Sequence, residues 1–65
     1  MNTGMKIKIL RIRKGWNQKE LANRVGVSQV AISQYEKEAM RPTDTIKVKI
    51  AAVLDAGVEE LFFES

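Results

Sequence analysis

The 65-residue sequence contains no cysteine and no histidine. The missing cysteines exclude a disulfide framework and thiolate chemistry, and are compatible with a reducing compartment. The two absences together remove the usual zinc ligand sets and the usual nucleophile–base pairs. Carboxylates do not fill the gap, because Glu59 and Glu60 are neighbours on a predicted helix and do not face each other. The chain is therefore read as a non-enzyme that needs no cofactor and no metal. Proline occurs once and glycine four times, and no segment is low in complexity or linker-like, as expected of one ordered domain over residues 1–65. No apolar run approaches the length of a membrane span. The N-terminal lysines and isoleucines interleave (MKIKILRIRK) with no small-residue cleavage site behind them, unlike a secretory signal. A chain near this size hides only about 60% of the surface its unfolded form exposes, so its core must be compact.

What is present is charge, unevenly distributed. Residues 1–42 carry nine Lys or Arg against three Glu, or +6, whereas residues 43–65 carry two Lys against five acids, or −3. A basic first part with an acidic tail suits a polyanion that touches the former and not the latter. An ordinary solvated surface with a chance skew accounts for the same numbers.

Glycine and the Arg41-Pro42 pair divide the chain into pieces of helical length. In residues 5–14 the early alternation MKIKI resembles a strand, but the length, the terminal cations Arg11, Arg13 and Lys14, and Gly15 just beyond favour a helix. Its Ile7 and Leu10 share one face, and Met5, Ile9 and Ile12 the opposite one. Asn17 with Glu20 forms a capping box, opening a second helix that runs to Gly26. Ser28 caps a third helix through about Lys37, and Thr43 a fourth lined by Ile46, Ile50, Val53 and Leu54. Beyond Gly57 a short last helix turns Val58, Leu61 and Phe62 inward. Five helices and no strand give an all-α fold.

The second and third helices are separated by Gly26-Val27-Ser28 alone, so they must turn sharply. Glycine is the cheapest residue for the positive φ such a turn needs, and Ala22 is small enough to let the helices touch. With Ile32 filling the angle, Ala22 and Gly26 are explained by the packing of a helix-turn-helix. Packing does not explain the outer face of the third helix. Gln29, Val30, Ser33 and Gln34 form a strip without charge where solvated helices usually carry Lys and Glu. Glutamine can pair bidentately with adenine in the major groove, and valine can meet a thymine methyl. A merely polar surface strip remains the plainer alternative.

Gln18-x-x-x-Ala22-x-x-x-Gly26-Val27 with Ile32 and Glu36 resembles the lambda-repressor-like (XRE, Cro/repressor-type) helix-turn-helix family of bacterial and phage regulators. The resemblance spans nearly the whole chain, from Ile7, Leu10 and Arg11 through Pro42-Thr43 to Ile50-Ala51, Leu54, Val58 and Leu61-Phe62. It implies a cytoplasmic, nucleoid-associated, sequence-specific DNA-binding domain whose third helix enters the major groove, commonly as a two-fold dimer. It further implies base reading by Ser28, Gln29, Val30, Ser33 and Gln34, and phosphate contacts from Asn17, Gln18, Lys19, Lys37 and Arg41, with Gln18 also buttressing Gln29. Arg11 and Glu36 take the positions of a partly buried salt bridge between the first and third helices. The sequence departs from the family pattern at Val30, often a polar reader, at Asp55, often glycine, and at Gly57, often a capping Ser or Asp.

A single small domain rarely binds DNA both tightly and specifically, so a dimer over two half-sites is expected, held by this domain's own surface because no ligand-sensing or dimerising domain follows. Phe62 and Phe63 on the last helix are the favoured dimer contact, and the Met5, Ile9, Ile12 stripe is the second candidate. The leading reading is a transcriptional repressor acting on operator DNA. The alternative is an antitoxin-like protein-interaction module on the same fold, using that stripe to hold a protein partner.

Overall fold

The computed structural model describes residues 2–63, and these form five helical segments and no strand. Helix α1 is Thr3–Arg13, α2 Gln18–Val25, α3 Gln29–Glu36, α4 Asp44–Val53, and a closing π-helical turn, α5, covers Glu59–Phe63. Three of the starts follow directly from local side-chain chemistry. Asn17 Oδ1 accepts from the Glu20 N–H at 2.8 Å while Glu20 Oε1 accepts from the Asn17 N–H at 3.0 Å, a reciprocal box. Ser28 Oγ accepts from the Ala31 N–H at 3.1 Å, and Thr43 Oγ1 from the Ile46 N–H at 3.3 Å.

Helix α1 starts earlier than the sequence pattern predicts. Asn2 is its N-cap, accepting from the Met5 N–H at 2.8 Å, so Gly4 lies inside the helix instead of marking its start. The reason is tertiary. A Cβ on Gly4 would sit 2.3 Å from the Glu36 carbonyl oxygen and 2.8 Å from that of Tyr35. Only glycine lets α1 lie this close to the last turn of α3.

Each α-helix is stopped by a residue with left-handed backbone: Gly15, Gly26, Glu38 and Asp55, at φ of 77°, 90°, 62° and 56°. After α3 the Ala39 N–H bonds the Gln34 carbonyl at 2.9 Å and Glu38 N–H that of Tyr35 at 3.2 Å. After α4 Ala56 and Asp55 make the same pair of bonds to Ala51 and Ala52. These are Schellman turns, which normally place glycine at the left-handed position. Here two acids, Glu38 and Asp55, occupy it.

The core takes one fully buried aliphatic from every helix: Ile7, Leu21, Ile32, Ile50 and Leu61. Each such burial stabilises the fold by about 1.5–3 kcal/mol relative to exposure. Ala22, Val25, Tyr35, Ala51 and Leu54 complete it. Helix α2 packs against α3 and α4, and α1 against α3 and α5, which leaves the outer side of α3 open.

Candidate nucleic-acid interface

Helix α3 owes its orientation to Ile32 and Tyr35, which are buried and anchor one side. The other side then has to face solvent. Gln29 and Val30 are exposed, Val30 by 65%, and Ser33 and Gln34 are half-buried. Among the described residues, the side chains of Gln29, Ser33 and Gln34 hold no hydrogen-bond partner, so their donors and acceptors are uncommitted. Ser28, at the head of the strip, uses one lone pair of its hydroxyl as the helix cap and retains its O–H and a second lone pair for an outside partner.

The joint between α1, α2 and α3 is held by a polar network around Glu36, the last residue of α3. Arg11 Nε donates to Glu36 Oε2 at 2.7 Å and Arg11 Nη2 to Oε1 at 3.2 Å, with the two side chains 10% and 4% exposed. The same guanidinium donates through Nη1 to the Trp16 carbonyl at 2.9 Å. Gln18 Nε2 donates to Glu36 Oε1 at 3.1 Å. A charged, forked donor with every arm satisfied is the arrangement in which a buried pair is tolerated. It ties the start of α2 to the end of α3 and so sets how Gln18 and Gln29 are presented.

Lys19, Lys37 and Arg41 are exposed, and none has an ion-pair partner among the described residues. The N-termini of α2 and α3 carry backbone N–H groups that attract anions. By contrast Arg24 lies over the Trp16 ring at 4.2 Å, Lys14 pairs with Asp55, and Lys47 pairs with Asp44 at 3.6 Å.

The helix-turn-helix family model matches residues 7–61. The chain belongs to the helix-turn-helix family. That family consists of DNA-binding transcriptional regulators of the lambda-repressor-like type, not enzymes. The chain is 39% identical over 57 residues to an uncharacterized HTH-type transcriptional regulator of Archaeoglobus fulgidus, covering 88% of this chain and 81% of the relative. It is 37% identical over 52 residues to the antitoxin HipB of Escherichia coli, covering 80% of this chain and 59% of HipB. Among solved structures, the P22 c2 repressor bound to a synthetic operator superposes with a TM-score of 0.93 at 29% identity, covering 95% of this chain and 94% of the repressor. The N-terminal DNA-binding domain of SinR from Bacillus subtilis gives 0.87 at 33% identity, covering 97% and 91%.

In this helix-turn-helix frame, the remaining sequence-predicted positions separate. Phe62 is half-buried and packs on the core, whereas Phe63 is 60% exposed with the Lys47 ammonium 5.0 Å from its ring centre. Met5 and Ile12 are 46% and 56% exposed, with Ile9 half-buried between them. Sequence reading missed the Gln18–Glu36 bond, for which two residues 18 apart offer no local signal. It also missed Glu38, whose carboxylate accepts from the Gly4 N–H at the start of α1. An acid at a helix end was the only clue to it. No helix of the described residues is long and apolar enough to cross a membrane.

Proposed function

We propose that the chain is a sequence-specific regulator that binds double-stranded DNA with α3 in the major groove, acts as a repressor, and engages a two-fold operator as a dimer. The uncharged, uncommitted outer face of α3 carries this reading. Its amides and Ser33 hydroxyl suit base edges, and Val30 suits a thymine methyl. Lys19, Lys37 and Arg41, with Asn17, Gln18 and the helix starts, would grip phosphates on either side. The similarity to the P22 c2 repressor, solved in complex with a synthetic operator, and to SinR, solved in complex with DNA, supports the DNA-binding part of this reading. Repression follows as the simplest consequence of occupying a promoter. Phe63 is the dimer anchor of choice, since it is the phenylalanine that the core leaves exposed. Such a protein works where the DNA is, in the cytoplasm at the nucleoid.

The deciding experiment is selection of bound duplexes from a random pool at low and moderate salt. A palindrome with half-sites about ten base pairs apart supports the dimeric reader. Salt-sensitive binding with no enriched sequence would reduce the site to a basic surface. A second reading, a partner-binding module, is favoured by a different observation: the solvent-facing Met5 and Ile12 of α1. HipB, which bears the name antitoxin, is consistent with such a role on this fold.

A further inference from the structure

Helix α1 has an outer surface that DNA reading leaves unused. Met5, Ile9 and Ile12 follow one another at spacings of four and three residues, so they form a continuous seam along one side. Beside Ile9 the surface dips into a groove of about 250 Å³, walled by Lys6, Leu10 and Arg13 of α1 and by Glu60 and Leu61 of α5. The seam lies roughly 100–160° around the helix from Arg11, whose side chain faces the α2–α3 joint. It is therefore turned away from the face that α3 presents.

Helix α1 contributes only cations to the edges of this seam, while α5 adds one acid, Glu60, on the far wall of the groove. Helix α1 contains Lys6, Lys8, Arg11 and Arg13 and no acid. Lys8 and Arg13 are exposed, stand on opposite edges of the seam, and have no ion-pair partner among the described residues. The residues four before and four after Lys8 are Gly4 and Ile12, so no acid one turn away on the helix pairs with it.

An apolar seam with cationic edges selects among occupants. Phosphate gains nothing from methionine and isoleucine. A second copy laid seam on seam would set Lys8 and Arg13 against their own counterparts. A helix with apolar anchors at matching intervals and acids beside them satisfies both parts at once. We propose that the outer face of α1 docks an amphipathic, acid-flanked helix of a protein partner. The proposal rests on the second reading above and names the chemistry of that partner.

The test uses the full chain, isotope-labelled, and three synthetic helical peptides with leucines at i, i+4 and i+7, flanked by Glu, by Lys or by Gln. The Glu peptide should shift amide signals of α1 and α5, and bind about 10-fold or more tightly than the Lys peptide. Ile12→Glu should weaken it by about 10-fold, leaving melting temperature and duplex DNA binding unchanged, and Met5→Glu should do the same. Equal or tighter binding of the Lys or Gln peptide would overturn the acidic partner while preserving a docking face. Failure of all three peptides would remove the docking face as well. Self-association of the wild-type chain that Ile12→Glu abolishes would assign the seam to a second copy. Binding to anionic vesicles that the same variant abolishes would assign it to lipid. Either result overturns the proposal.

Discussion

Replacing Arg11 with methionine tests the polar joint most directly. The aliphatic stem keeps most of its packing, but the guanidinium and its three hydrogen bonds to Glu36 and Trp16 disappear. Glu36, with its side chain 4% exposed, would be left ionised with only the Gln18 amide beside it. Removing one partner of a buried pair costs about 3–5 kcal/mol, mostly the desolvation of the charge left behind. Native domains hold only about 5–15 kcal/mol in total, and one of this size sits near the lower end. With a urea slope of roughly 1 kcal/mol per molar, the midpoint should fall by about 3 M or more. Circular dichroism and the fluorescence of Trp16, the only tryptophan, would follow the transition. Combining Arg11→Met with Glu36→Leu removes both charges and should recover about 2 kcal/mol of the loss. A single variant within about 1 kcal/mol of wild type, or a double variant no better than the single, would refute the account of Glu36 as a buried charge that needs its partner.

Gly4→Ala should destabilise the fold by about 1–3 kcal/mol in thermal melts, because the added methyl meets backbone oxygens of α3 that have little room to move. A gain in stability there would show that α1 can shift freely. Asp55→Gly should raise stability by up to about 1 kcal/mol, since the left-handed backbone relaxes and the ion pair lost with Lys14 is exposed. A clear drop in melting temperature would mean that the pair outweighs the strain. Gln29→Ala should cost about 1–3 kcal/mol on the selected operator and relax preference at one base position. Equal loss on all sequences would remove it as a reader. Arg41→Ala should weaken binding evenly and lower the salt slope by about 1, as expected for one phosphate contact.

What could be read from the sequence was what short stretches decide by themselves. Asn17, Ser28 and Thr43 announce helix starts because a cap needs only a side-chain oxygen and the next three residues. Gly26 announces the turn because its left-handed backbone is a local demand. Ile7, Leu21, Ile32, Ile50 and Leu61 could be found by periodicity. Gly4 could not: nothing near it in sequence shows that the carbonyls of Tyr35 and Glu36 will lie against it. The same applies to Gln18, whose partner lies 18 residues away, and to Glu38 and Asp55, acids in turns where glycine is the usual choice. Base-reading roles for Gln29, Val30, Ser33 and Gln34 were suggested by an unusual lack of charge, and depend on a duplex that the chain itself does not contain.

The two acids in left-handed turns both reach α1. Glu38 accepts from the Gly4 N–H near its first residue, and Asp55 holds Lys14 just past its last. Glycine would suit each turn better, yet glycine has nothing to extend toward a neighbouring helix. The consequence concerns motion. In wild-type protein, α1 should open only with the rest of the fold, so its amide protons should exchange as slowly as those of the core. With glycine at 38 and 55, the turns would be easier and global unfolding no easier, but the ends of α1 would open alone. Resistance to heat and retention of this helix would then vary in opposite directions.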